Sequence, residues 1–212
     1  MSLRPTPSFR RQVVIGCVTM VALAGCAVGQ RPTLVAETPI DDAPAQTVLD
    51  RLGRGPATFT ATYDITPSTT GIATPATVVQ DGERRKVTIG SVVFRSDGAT
   101  SSTCQGAGEC EEFLDDARVS DLNITNRFWG PAFASRLELD ASRRIGFSLP
   151  STDEIAGRPA ACVDVVVPSA TESSGTVVYC AIDDGVLARY FGADVSIELT
   201  SFSLQADPAA LV

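Results

Sequence analysis

The chain has 212 residues, 44% hydrophobic and 20% charged, which is the composition of a globular protein long enough to bury a sizeable core. Its formal net charge is −8, and setting aside Arg4, Arg10 and Arg11 leaves 14 basic residues against 25 acidic ones, which excludes binding to nucleic-acid phosphates through basic patches. There is no histidine, so Ser-His-Asp and Cys-His catalysis and His-ligated metal sites are excluded too.

Residues 1–12 are basic and carry Pro5, Pro7 and the pair Arg10–Arg11. From Val13 to Ala24 the chain is uncharged and almost wholly apolar, a run shorter than the roughly 20 residues that cross a bilayer. A basic start followed by a short apolar run predicts an export signal over residues 1–25. The run stops at Leu23-Ala24-Gly25-Cys26, which resembles the bacterial lipobox. That resemblance implies a lipoprotein: the Cys26 thiol receives a diacylglyceryl group, cleavage precedes the cysteine, and further acylation with chains such as palmitate is common. Cys17, in Val14-Ile15-Gly16-Cys17, has too few apolar residues before it and leaves with the signal. An acidic domain is repelled by anionic lipid headgroups, so membrane attachment must come from the anchor. Residues 26–44, with Pro32, Pro39, Pro44 and Asp41–Asp42, read as a lipidated tether.

The folded domain is expected over residues 45–212. Ala45 to Leu52 predicts a short helix stopped by Gly53 and Gly55. Phe59, Ala61, Tyr63 and Ile65 alternate with Thr58, Thr60, Thr62 and Asp64, the pattern of a half-buried strand. Further strands are predicted over 77–80, 84–89, 92–95, 145–149, 162–167, 176–182, 186–191 and 195–204, and short helices over 109–117 and 131–140. Asp81-Gly82, Asp97-Gly98 and Asp184-Gly185 each fall at a strand boundary, where Asp-Gly suits a type I′ hairpin turn. Together these predict a mainly β antiparallel meander.

Four cysteines remain once Cys17 and Cys26 are assigned, and an exported chain meets an oxidising compartment. A hairpin placing Val167 near Thr176 sets Cys162 almost opposite Cys180, within disulfide reach. Cys104 and Cys110 then pair across a short loop containing two glycines. A metal site is the competing use, but two neighbouring thiols without histidine are too few ligands, and neither metal nor cofactor is expected.

The order helix, Phe59-Thr-Ala-Thr-Tyr63, then a meander resembles the superfamily of LolA-like carriers, mycobacterial lipid-binding lipoproteins and the amino-terminal domain of RseB-type regulators. The likeness is sharpest over Ile155-Ala156-Gly157-Arg158-Pro159-Ala160, Cys162–Val167, Tyr179 and Asp184-Gly185-Val186-Leu187. It implies a curved sheet forming a half-open barrel with short helices on its concave face, and an apolar cleft for a lipid or acylated ligand. Phe59, Ala61, Tyr63, Phe128, Trp129 and Phe133 are the candidate lining residues, and their competing use is to pack the core. The alternative function is a structural or signalling lipoprotein that contacts another envelope protein, its identity unknown, through a closed domain. No enzyme is expected, since Asp115–Asp116, Asp153–Glu154 and Asp183–Asp184 are adjacent pairs whose side chains diverge in extended chain.

Overall fold

A computed structural model describes residues 41–211 apart from 107, 109 and 170–173. The expected export signal, Cys17, Cys26 and the tether up to residue 40 lie outside the described residues.

Helix α1 (Ala43–Leu52) precedes strands β1 (Thr58–Pro67), β2 (Thr74–Asp81), β3 (Arg84–Ile89), β4 (Val92–Ser96), β5 (Ser101–Gln105) and β6 (Cys110–Glu111). A 3₁₀ segment (Asp116–Leu122) and helix α2 (Pro131–Ser142) follow. The chain then runs through β7 (Leu149–Ile155), β8 (Arg158–Val167), β9 (Gly175–Ile182), β10 (Leu187–Phe191) and β11 (Val195–Ser203) to a short 3₁₀ turn at Pro208–Leu211. The described strands form one open sheet, antiparallel at every pairing, in the order β6-β5-β4-β3-β2-β1-β11-β10-β9-β8-β7.

This order dictates the role of the middle of the chain. Two meanders, β1–β6 and β7–β11, meet where β1 pairs with β11. After β6 the chain stands at one edge of the sheet, and β7 lies at the other. Residues 112–148 must therefore cross the whole sheet, and they do so over the face that Phe59, Ala61, Tyr63 and Ile65 bury. The contacts of Phe59 with Trp129 (ring centroids 5.2 Å) and Tyr63 with Phe128 (5.0 Å) record that crossing. Strand alternation does the rest: β1 buries every second residue, while Thr62 faces the other way and its hydroxyl bonds to those of Thr200 and Ser201 on β11.

Helix α1 begins two residues earlier than expected, because Asp42 caps it by accepting from the Ala45 amide at 3.1 Å. Pro44 thus belongs to the first turn, where its fixed φ is favourable and its missing N–H is harmless. Ala45, Val48, Leu49 and Leu52 then bury one face, each large side chain contributing about 1.5–3 kcal/mol.

Four expectations are corrected. Of the helix expected over 109–117, residue 109 lies outside the described residues, 110–115 are not helical and Asp116–Ala117 open the 3₁₀ segment: the Cys104–Cys110 pairing draws Cys110–Glu111 into the ladder beside β5, and Thr103 Oγ1 donates to the Phe113 carbonyl while accepting from the Asp115 amide. The strand expected over 145–149 instead runs over Leu149–Ile155, because Ala156 and Gly157, both at positive φ, make a two-residue turn that pairs Ile155 with Arg158. The Asp81-Gly82 turn is shifted by one: Asp81 pairs with Arg84, so Gly82 and Glu83 are central and only Gly82 takes positive φ, the glycine-first arrangement of type II′. In the β8–β9 hairpin Val167 faces Gly175, one residue from the expected partner, and this puts Cys162 directly opposite Cys180.

Candidate functional site

All six residues expected to line a cleft come together, and none is open to solvent. Phe59, Ala61 and Phe128 are 0% exposed, Tyr63 1%, Phe133 3% and Trp129 5%. Phe59, Ala61 and Tyr63 arrive by alternation along β1, and Phe128, Trp129 and Phe133 from the crossing segment and the first turn of α2. Phe133 packs tilted against Tyr190 (4.6 Å), which meets Tyr179 at 5.0 Å, so these rings extend the aromatic layer between helix and sheet. Edge-to-face and tilted contacts of this kind each add about 0.5–1.5 kcal/mol beyond area burial.

Polar atoms inside this layer are unevenly satisfied. Tyr179 Oη donates to Asp140 Oδ2 at 2.5 Å, and Asp140 Oδ1 accepts from Arg143 Nη2 at 2.6 Å, so the buried carboxylate has partners on both oxygens. Burial and this carboxylate both push the Tyr179 pKa up. Arg136 lies over the Tyr190 ring at 4.6 Å and pairs with Asp194 at 2.7 Å. By contrast Tyr63 Oη and Trp129 Nε1 are buried without a hydrogen-bond partner among the described residues, and burial raises the Tyr63 pKa.

The Tyr179–Asp140 and Arg136–Asp194 contacts escaped sequence reading, because the partners are 39 and 58 residues apart. So did a display of large apolar residues outside the core: Leu139 near the end of α2 (58% exposed), then Ile145 (47%), Phe147 (91%) and Leu149 (62%). The segment carrying them is stitched to the entry of the domain. Arg144 Nη2 donates to the Asp41 carbonyl at 2.9 Å, Arg144 Nε meets Asp42 Oδ2 at 2.7 Å, and Ser148 Oγ donates to Asp42 Oδ2 at 2.7 Å.

Five of the six adjacent carboxylates have structural partners. Asp183 and Asp184 pair with Arg51 and Arg158, Asp153 pairs with Arg189, and Asp116 Oδ1 accepts from the Asn126 amide at 2.6 Å. Asp115 caps the 3₁₀ segment through the Ala117 amide. No cluster of three or more metal-ligating side chains occurs among the described residues. No helix among them is long and apolar enough to cross a membrane. Disulfides join Cys104 to Cys110 and Cys162 to Cys180, with Cα–Cα distances of 4.2 and 4.0 Å, which suits an extracytoplasmic, oxidising compartment.

No family model matches the chain, and no curated protein matches it. Among solved structures it is similar to MucB, with 14% identity and a TM-score of 0.47 over 81% of this chain and 63% of that one. The complex of Pseudomonas aeruginosa MucA and MucB matches with 17% identity and a TM-score of 0.43, over 80% of this chain and 61% of that one. A putative outer membrane lipoprotein-sorting protein domain from Vibrio parahaemolyticus matches at 9% identity and a TM-score of 0.29, over 79% of this chain and 95% of that one. This chain spans about three-fifths of the MucB chains.

Proposed function

We propose that the chain is an exported lipoprotein, anchored through Cys26, whose folded domain works by contacting another protein of the cell envelope. One observation carries this reading: the aromatic layer is packed against itself, whereas Phe147 stands 91% exposed beside the domain entry. Rings that fill the helix-bearing face leave that apolar area already buried. Exposed large apolar side chains gathered in one segment are the raw material of a contact surface. Arg144 ties that segment to Asp41, within the expected tether, so the exposed side chains stand beside the entry to the folded domain.

A second reading is favoured by the two orphan donors, Tyr63 Oη and Trp129 Nε1. Here an acylated ligand enters between α2 and the sheet, its chain displaces ring contacts, and its ester oxygens accept from both donors.

Both readings meet one experiment on the lipidated full chain. A photo-crosslinker at position 147 tests for a protein neighbour, and mass spectrometry of the purified protein tests for a copurified acyl chain beyond the anchor. A discrete crosslinked protein without such a chain supports the contact reading. A stoichiometric ligand that is lost in Ala61→Phe at unchanged stability supports the second. Fatty-acid labelling of Cys26→Ala checks the anchor by itself, and label persisting on that variant overturns it.

A further inference from the structure

The two disulfides of the domain stand in opposite surroundings. Cys162 and Cys180 are 5% and 1% exposed, and strands flank their hairpin on both sides, which shields both ends of the bond from reagents in solution. Cys104 and Cys110 face each other on β5 and β6, at the edge of the sheet. There Cys104 is only 4% exposed, whereas Cys110 is open to solvent. One end of this bond is thus accessible to a nucleophile and the other is covered.

The covered end has a cation beside it. Arg95 Nη1 approaches Cys104 Sγ at 3.4 Å. Strand register agrees, since Val93 pairs with Cys104 and Arg95 with Ser102, which puts Arg95 and Cys104 on one face of the sheet. Lys86, opposite Arg95 on β3, brings a second cation to that face. Most described arginines of this acidic chain pair with carboxylates, but Arg95 forms no ion pair with a described residue, and its Nε is buried without a hydrogen-bond partner among them. The inner disulfide differs here too: Arg189 stands opposite Cys180, yet its charge is shared by Asp153 and Glu198. An accessible end and an unneutralised guanidinium at the other end together set the direction of thiol exchange. The incoming thiolate attacks the sulfur it can reach, and the rate rises with the stability of the thiolate that leaves. Burial makes Cys104 a poor leaving thiolate by itself, and an adjacent guanidinium offsets that cost.

We infer that Cys104–Cys110 is an exchange-reactive disulfide, in which a low-molecular-weight thiol becomes bonded to Cys110 and Cys104 departs as a thiolate held by Arg95. The thiol gives its proton to solvent and its sulfur forms a bond to Cys110 Sγ. The bond between Cys104 and Cys110 breaks, and its electron pair stays on Cys104. The product is a mixed disulfide at Cys110. A second molecule of the thiol then removes the first as a disulfide, leaving both cysteines reduced. Opening takes away the covalent tie that holds the two-residue strand β6 against β5, where the Arg118–Glu111 ion pair also anchors it. The site is at the β6 end of the strand order, and the exposed segment at 145–149 leads into β7 at the other end, so it stands independently of the function proposed above.

Timed incubation of the lipidated full chain with reduced glutathione, quenched in acid and mapped by peptide mass spectrometry, tests it. Glutathione should appear on Cys110 and not on Cys104, while Cys162–Cys180 stays closed and so reports an intact fold in every variant. Arg95→Gln should slow the opening roughly threefold or more, the scale of removing a cation from beside a leaving thiolate. Arg95→Lys keeps the charge and should restore most of the rate. Loosened packing alone acts in the other direction, because it would uncover Cys104 and speed the reaction. Opening of both disulfides at equal rates, glutathione on Cys104, or an Arg95→Gln rate at or above that of the parent chain would each overturn the assignment.

Discussion

Substituting Gly185 by alanine isolates how closely α1 is seated on the β9–β10 turn. Gly185 has φ +92°, and a Cβ placed there would stand 2.8 Å from the Gly55 nitrogen, 2.9 Å from the Arg51 carbonyl oxygen and 3.1 Å from the Gly55 Cα. All three are backbone atoms, so no side chain can swing aside. Left-handed backbone costs an alanine about 1–2 kcal/mol, and forcing a methyl into packed surroundings costs about 1–3 kcal/mol more. The expected loss is therefore about 2–5 kcal/mol. Gly82→Ala is the matched control, with φ +62° but nothing within 4 Å of its Cβ, so it should lose only the backbone part, about 1–2 kcal/mol. Urea unfolding followed by Trp129 emission reads both, because this single tryptophan lies in the layer against Phe59 at 5.2 Å. The midpoint should move further for Gly185→Ala at unchanged slope. Equal losses for the two variants would refute the close seating of α1 on this turn.

Replacing Cys162 and Cys180 together by alanine should cost about 3 kcal/mol in the chain-entropy model, and replacing Cys104 and Cys110 about 2, since the loops span 18 and 6 positions; guanidinium unfolding of each pair variant checks the order, and a reversed order counts against it. Tyr179→Phe removes a buried donor from Asp140 and should destabilise by about 1.5–3 kcal/mol in the same assay; a neutral result means the carboxylate has another partner. The amides of Thr100 and Ala99 hold the Asp97 carboxyl below its ordinary 3.8. Its folded pKa is depressed, so its contribution is present above the unfolded pKa and fades as pH falls through the folded one. Carboxyl NMR titration should place Asp97 below 3.8, and a value at or above that figure refutes the loop geometry.

What the sequence carried was local and periodic. Period-2 alternation from Thr58 to Ile65 already names the buried face of β1, and the alternating pattern is enough because one face of that strand lies under the crossing segment. Two helices were legible from punctuation: Gly53 ends α1, and Pro131 opens α2. The near-opposition of Cys162 and Cys180 follows from hairpin arithmetic even with the register one residue out, because neighbouring positions on a ladder lie only a strand step apart. Strands β5 and β7 were hidden for a shared reason. Ser101–Gln105 is polar but for Cys104, and Leu149–Ile155 is exposed but for Ile155, so ladder pairing makes them strands without an apolar alternation to announce them.

Tertiary structure decided how the aromatic residues are used and where the charges go. Composition could name Phe59, Tyr63, Phe128, Trp129 and Phe133 as one apolar set, but whether such a set encloses a cleft or packs solid depends on what lies across from it. That depends in turn on the chain crossing from β6 to β7, which no window of sequence contains. The same holds for the arginines. Which of them meet carboxylates is settled by side chains brought from distant positions, as when Arg136 meets Asp194, 58 residues away. Periodicity reports the environment of one residue against water. Partnership between two residues far apart in the chain exists only once the fold has paid their loop-closure entropy and set them side by side.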